Sequence, residues 1–441
     1  MKCLIVTFFS LIFFHGYAQN VMSLEKCIEL AKAKNIEVVN QKYNNLKLKS
    51  DENISKGSFL PNLSFNASQN FNLGSSFNIS TGVGQQESRS NNFNFTSSIV
   101  LFDGLSNINN LKLSKLKIEN GELQLKSIEK ALELSITNEY LQALFYKEAL
   151  KITRNRLKNS MKQLNRVKIL YENMSITKSE LLENKSLVES DKNSISETEN
   201  SLKNSLIKLK ELISFEGIDN FDIQETDIKF SNQEMESFIH DGLDNHASIR
   251  VLESNMKISE LRIKVSKAVF YPKISFDYSY GTGYYHLQGK DDLVFNNLTN
   301  KLENNGFIKQ LDNNKTHFLG FSITIPVFNR FATKENYKKS KIDFNISEIY
   351  LINKKIEIIN RASQAYNNVL TAKASLKSVA KILAFQEESF RVSNEKYELG
   401  ISSVYDFIDS RDRLFNAQSD YVKSKYDYLF KFKILEYYYT N

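Results

Sequence analysis

The residues able to do charge chemistry gather in one short stretch of this 441-residue chain. Asp406 and Asp409 lie three apart, behind the run Tyr397-x-x-Gly400. Carboxylates three apart on a helix share one face, and such a face attracts cations. The same pairing occurs in the first half of the chain as Glu180 and Glu183. Two plainer uses compete. Thr177-Lys178-Ser179-Glu180 and Ser403-Val404-Tyr405-Asp406 both fit a capping box, a hydroxyl followed by an acid three residues on. Asp409 can also pair with Arg413, four residues along. Reaction chemistry finds no comparable foothold. The five histidines are scattered, with no His-x-x-x-His spacing, and the two cysteines, Cys3 and Cys27, form no metal motif. Gly82-Val-Gly84 and Gly281-Thr-Gly283 are lone glycine pairs, too little for a phosphate cradle. No nucleophile stands beside a base, so the expectation is a protein that is not an enzyme, without cofactor or metal.

Whatever positions these acids is exported. Met1-Lys2 is a positive start, Leu4 to Phe14 is apolar apart from Thr7 and Ser10, and Gly16-Tyr17-Ala18 supplies small residues for a cut. Residues 1–18 therefore read as a signal peptide, with the mature chain expected from Gln19 or Asn20. Cys3 lies ahead of the apolar run, so it cannot carry a lipid, and Cys27 is left without a disulfide mate. Charge is balanced, 58 Lys plus Arg against 51 Asp plus Glu, and the net +7 is spread out. A nucleic-acid partner would call for clustered basic residues. No further segment approaches the ~20 apolar residues of a membrane helix, so any crossing must be made by strands.

The elements come twice. Phe59-Leu60-Pro61-Asn62-Leu63-Ser64-Phe65 returns as Phe270-Tyr271-Pro272-Lys273-Ile274-Ser275-Phe276, an offset of 211 in numbering (272 − 61). Val100-Leu101-Phe102-Asp103 returns as Pro326-Val327-Phe328-Asn329, and Tyr171-Glu172 as Tyr397-Glu398, both at an offset of 226 (328 − 102 and 397 − 171). The second copy thus carries 15 extra residues (226 − 211) between its two strand-like segments, and loops absorb such insertions cheaply. Period-two alternation marks the strands: Leu63, Phe65 and Ala67 against Ser64, Asn66 and Ser68, and Leu319, Phe321 and Ile323 against Gly320 and Ser322. Heptads mark the helices. Leu150, Leu157, Leu164 and Tyr171 have the apolar mates Leu376, Leu383, Phe390 and Tyr397. Beyond a turn, Leu181, Val188, Ile195, Leu202 and Leu209 have Phe407, Leu414, Tyr421, Tyr428 and Leu435. Sustained sevens mean helices packed along one another.

The expected fold is mainly α with membrane β, in two structural repeats of helix, strand, strand, long helix, helix. The first repeat is placed at 19–230, with strands about 61–72 and 91–102 and long helices about 105–173 and 178–214. The second is placed at 231–441, with strands about 272–284 and 316–328 and helices about 331–399 and 403–438. At ~1.5 Å per residue the longest helices would reach on the order of 100 Å. Four strands per chain cannot close a membrane barrel, whose smallest forms have about eight, and open edges are not tolerated in lipid. Several chains must share one barrel. The loops at about 73–90 and 285–315 are rich in Gly, Asn and Ser and are expected to face outside the cell.

The signal peptide, the doubled helix–strand–strand–helix pair, Phe59-Leu60-Pro61-Asn62-Leu63, and Tyr397-x-x-Gly400 followed by Asp406-x-x-Asp409 together resemble the TolC-type outer-membrane efflux family. The resemblance implies a homotrimer with a twelve-stranded outer-membrane β-barrel continuous with a long periplasmic α-helical barrel. It implies docking to a periplasmic adaptor (membrane fusion) protein and an inner-membrane pump of RND or ABC type, for efflux or type I secretion. It further implies that Asp406 and Asp409 form a cation-selective ring at the periplasmic constriction, and that Tyr397 holds the tip shut with Ser179 and Glu180 on a neighbouring helix. Two departures stand out at the tip turns. Ser402, two residues after Gly400, takes the place of an arginine, and Met174 takes the place of the glycine in the first copy. The alternative is an exported structural coiled coil, a periplasmic adaptor or adhesin stalk, which explains the heptads and the signal but not four strands of membrane length.

Overall fold

The computed structural model describes residues 20–74, 76–78, 83–85, 87–214, 221–225 and 246–439. The expected signal peptide lies outside the described residues. In chain order the elements are β1 (Asn20–Met22), α1 (Leu24–Lys34), α2 (Ile36–Gly57), β2 (Ser64–Asn72), β3 (Ser76–Asn78), β4 (Val83–Gln85), β5 (Ser88–Phe102), α3 (Ser106–Glu172), α4 (Lys178–Ile213) and β6 (Phe221–Ile223). Then follow α5 (Ala247–Ala268), β7 (Lys273–Leu287), β8 (Leu293–Asn296), β9 (Lys301–Asn304), α6 (Phe307–Asn313), β10 (Thr316–Thr324), α7 (Ala332–Glu398) and α8 (Val404–Tyr439). The long helices repeat without change of length: α3 and α7 have 67 residues each, α4 and α8 have 36 each.

The chain forms two compact units, and each draws on both halves of the sequence. One comprises Met1–Tyr43, Glu122–Val251 and Ile352–Asn441; the other comprises Asn44–Gly121 and Leu252–Leu351.

The first unit is helical and holds the heptad seams. Leu150, Val188, Leu209, Phe407, Tyr428 and Leu435 are buried, and every other member of the four apolar rows is at least partly covered except Tyr171, 37% exposed. The largest core cluster gathers Cys27, Ala31 and Val38 with Ile136, Tyr140, Leu141, Leu144, Leu209 and Ile213. Side chains such as Ile136 and Leu209, with no exposed surface, each contribute about 1.5–3 kcal/mol by leaving water. Strands β1 and β6 pair in parallel over this cluster. The Tyr140 hydroxyl lies 2.7 Å from the Gln224 carbonyl, just beyond β6, and 3.1 Å from that of Met22, the last residue of β1, so a fully buried phenol still donates its proton to a hydrogen bond. Burial raises the Cys27 thiol to about 11, which keeps it protonated and inert.

The second unit holds one antiparallel four-stranded sheet in the order β10-β7-β5-β2. Partners directly opposite point the same way, so the register sorts the faces. Phe65 is opposite Phe95, and Phe95 opposite Tyr280; Ile99 is opposite Phe276, and Phe276 opposite Phe321; Ile274 is opposite Ile323. These make one apolar face. The other carries hydroxyls and amides that bond across strands: Ser64 to Thr96 at 2.6 Å, Ser279 to Asn94 at 2.8 Å, Ser275 to Ser322 at 2.6 Å. The apolar face is bare: Phe65 is 56% exposed, Leu319 66%, Phe321 74% and Ile323 65%. The edge strands β2 and β10 have no outer neighbour among the described residues.

The segment after β7, expected as loop, is built. It contains the β8–β9 hairpin and the short α6, whose Gln310 is bonded to the main chain of Tyr285 in both directions. Turn-type composition concealed this order, because side-chain amides supply the bonds that ladder pairing would otherwise give.

The strand-to-helix corner is the same in both copies. Gly104 and Leu105 have φ of 69° and 70°, and Arg330 and Phe331, at the matching positions of the second copy, have 58° and 64°. At Gly104 a β-carbon would sit 2.4 Å from the Ala268 carbonyl oxygen, so the glycine is required there by contact as well as by conformation. The second copy adopts the left-handed pair without glycine.

Candidate functional site: the helical tip

The two hairpins α3–α4 and α7–α8 reverse by the same device. At the end of α7, Gly400 donates its N–H to the Tyr397 carbonyl at 3.1 Å, and Ile401 donates to that of Lys396 at 2.9 Å. At the end of α3, Met174 donates to the Tyr171 carbonyl at 2.9 Å, and Ser175 to that of Leu170 at 2.8 Å. Both are Schellman motifs, closed by a left-handed residue at C′: Gly400 at φ 73° and Met174 at φ 53°. Met174 is 93% exposed, so its side chain returns nothing for the strained backbone. Met174→Gly is expected to stabilise the fold by about 1 kcal/mol, read as a rise of roughly 2 °C in the thermal melt of the helical signal.

Each returning helix opens on a cap. The Thr177 hydroxyl accepts the Glu180 N–H at 3.3 Å. In the second copy the box is reciprocal: the Ser403 hydroxyl accepts the Asp406 N–H at 3.2 Å, and the Asp406 carboxylate accepts the Ser403 hydroxyl at 2.7 Å and its backbone N–H at 3.1 Å. Those two donors hold the Asp406 carboxyl below the usual carboxylate range. Asp409 pairs with Arg413 at 2.9 Å, their side chains 62% and 65% exposed. Both plainer uses of the acids are thus present, while each carboxylate stays at the surface.

Tyr397 stacks on Phe407, with ring centroids 4.8 Å apart at 21°. Burial pushes its phenol pKa up, and the Gln163 amide facing its hydroxyl works against that rise. Within one chain, its expected partners lie near the same turn. Glu180 is an electrostatic neighbour without a bond to the phenol. Ser179 is exposed and makes no side-chain hydrogen bond among the described residues. Ser402 is half-buried, and its hydroxyl has no partner among the described residues. An arginine nonetheless reaches this turn from α3: Arg166 donates to the Glu398 carbonyl at 2.9 Å, at a helix C-terminus where positive charge is favourable. A second link crosses the tip where Tyr405 donates to Glu183 at 2.7 Å.

Deeper in the same unit lies a group that the spacing of acids did not single out. Asp191 of α4 has no exposed side-chain surface. It accepts the Ser160 hydroxyl at 2.5 Å and Arg411 Nη1 at 3.4 Å, and it forms an ion pair with Arg156, whose Nε lies 2.8 Å away without hydrogen-bond geometry. Asp412 takes Arg156 at 3.1 Å and Arg411 at 3.0 Å, and Arg156 lies 4.1 Å from the Phe415 ring centroid. Burial and the nearby Arg411 pull the Arg156 pKa down, while the two aspartates hold it up. The signal was there in the heptads. Three residues after Leu181, Val188 and Leu202 come Asn184, Asp191 and Ser205, a second seam row that is buried and polar, in which Asp191 is the one charge. Beside the cluster, α3, α7 and α8 line an open cleft of about 490 Å³ with Arg166, Phe390 and Arg411 on its walls.

The sequence model described as "Outer membrane efflux protein" matches residues 28–214 and 238–435. No curated protein is a significant match to the chain. Among solved structures, the Campylobacter jejuni CmeC outer membrane channel is similar at 16% identity and a TM-score of 0.80, over 94% of this chain and 85% of that one. The Vibrio cholerae outer membrane protein VceC is similar at 12% identity and 0.76, over 94% and 95%. The open-state MtrE outer membrane channel of Neisseria gonorrhoeae is similar at 18% identity and 0.74, over 94% and 88%. At such identities the structures speak for the fold, mainly helical and built from two repeats. The family model spans most of the sequence, and with it the chain belongs to the outer membrane efflux protein family.

Proposed function

We propose that the chain is one protomer of a homotrimeric channel and a passive conduit from the periplasm, or from an inner-membrane pump, to the exterior. Three four-stranded sheets would close a twelve-stranded barrel in the outer membrane, and the long helices would form the periplasmic tube. Residues 1–18 would direct export. The carrying observation is the sheet: one face apolar and bare, the other lined with hydroxyls and amides, and both edges unpaired among the described residues. In lipid, open edges must be closed by other chains, and strands with apolar-out, polar-in alternation are those of membrane barrels. A coiled-coil adaptor or stalk would leave that bare face without a purpose. The family membership favours a tripartite assembly with a periplasmic adaptor and an RND or ABC pump.

The tip is the proposed gate. Threefold symmetry would set six carboxylates, Asp406 and Asp409 of each chain, around the pore, and a ring of acids selects cations. Tyr397, Glu180 and Ser179 are the proposed contacts between neighbouring tip helices, on turns shaped by Gly400 and Ser402. The mass of the detergent-extracted protein, followed by planar-bilayer recording, tests the conduit: a trimer that conducts supports it, and a water-soluble, non-conducting species refutes it. Asp406→Ala with Asp409→Ala is expected to lower cation preference and to weaken block by multivalent cations roughly tenfold, as for the loss of about 1.4 kcal/mol of ion binding. Unchanged selectivity in the same bilayers would remove the acids from the pore.

A further inference from the structure

We infer that the buried Asp191 cluster is a charge latch that holds α8 against α3 and α4 and sets how readily the tip opens. The inference rests on the gated-channel reading above and assigns the gate a control point away from the tip acids. Four charges take part, and they are shared out in a particular way. Arg156 and Ser160 belong to α3, Asp191 to α4, and Arg411 and Asp412 to α8. The contacts that cross to α8 are Arg411 to Ser160 at 2.6 Å, Arg411 to Asp191 at 3.4 Å, Arg156 to Asp412 at 3.1 Å, and the Arg156 guanidinium over Phe415. Each side also holds a complete pair of its own. Arg156 meets Asp191 at 2.8 Å without help from α8, and Arg411 meets Asp412 at 3.0 Å on α8 itself.

A buried ion pair resists separation because a stranded charge loses its partner in a poor solvent. Here the four charges part into two neutral pairs, so α8 can withdraw without stranding one. The α3–α4 hairpin keeps its own ion pair and its Ser160–Asp191 hydrogen bond throughout. That division distinguishes a latch from a staple. The exit is also open: Arg411 and Phe415 border the 490 Å³ cleft, and Arg411 Nε has no hydrogen-bond partner among the described residues. Withdrawal of α8 would exchange one set of pairs for another, the discrete change that a gating element requires. At the tip turn itself Ser402 offers no charge, and its hydroxyl has no partner among the described residues.

The test uses the purified full-length protein in planar bilayers, comparing wild type with Arg411→Gln, Arg411→Lys and Ser160→Ala. Arg411→Gln is expected to raise resting open probability about tenfold or more at unchanged oligomeric mass and main conductance, and Arg411→Lys to return it toward wild type. Ser160→Ala keeps every charge and removes only the relay, so it serves if the glutamine variant does not assemble. Its open probability should rise too, by a smaller factor. Open probability within twofold of wild type in an assembled variant would overturn the latch. Hydrogen exchange on the same samples separates this from failure of the channel reading. Even in a non-conducting protein, Arg411→Gln should speed exchange at least tenfold across residues 404–418 and leave residues 178–191 protected. Equal loss in both segments, or in neither, would also overturn it.

Discussion

Asp191→Ala is expected to cost about 3–5 kcal/mol of stability, the usual loss when one member of a buried ion pair is removed. The carboxylate has no exposed surface, and it is the only acid facing both Arg156 and Arg411 from α4. Without it two guanidinium groups, their side chains 15% and 8% exposed, share Asp412 alone. Burial, and then their mutual repulsion, already pull the Arg156 pKa down. The Ser160 hydroxyl loses its acceptor as well. Thermal melting of the helical signal should fall by roughly 5–10 °C, taking a few degrees per kcal/mol for a large domain. Asp191→Leu combined with Arg411→Leu should recover part of the loss, because apolar side chains replace buried charge at little cost. A single variant that melts with wild type would mean the cluster is solvated and weak.

The second large effect concerns the sheet. Phe321 and Ser322 are neighbours on β10 with opposite faces: Phe321 stands beside Phe276, Ser322 beside Ser275. Phe321→Arg puts a cation on the bare apolar face, where it costs a membrane barrel about 2–4 kcal/mol near the bilayer midplane. Ser322→Arg puts the same cation on the polar face and should be tolerated. The readout is the amount of assembled oligomer in outer-membrane fractions and the urea midpoint of the protein refolded into lipid vesicles. Both should drop for Phe321→Arg and stay near wild type for Ser322→Arg. Equal behaviour of the two variants would mean that the apolar face does not meet lipid, and the barrel proposal would fall with it.

Much of the architecture was legible in the residues because its causes are local. A helix bonds each residue to one four away, and a strand alternates its faces residue by residue, so periods of 3.5 and two are written directly into the chain. Recurrence at offsets of 211 and 226 then identified the two repeats. The capping of Asp406 by Ser403 and the pairing of Asp409 with Arg413 were readable for the same reason, their partners lying three and four residues away. The tertiary structure decided what depends on the register between distant segments. Arg156 meets Asp412 across 256 positions, Arg411 meets Asp191 across 220, and Tyr405 meets Glu183 across 222. It also decided that Tyr397 packs on Phe407 and faces Gln163 within its own chain. Sequence periodicity gives the face a residue occupies along its own helix, but not which residue of another helix comes level with it. That alignment is set by packing of whole faces, and it is what turned a lone acid in a polar heptad row into the centre of a buried charge cluster.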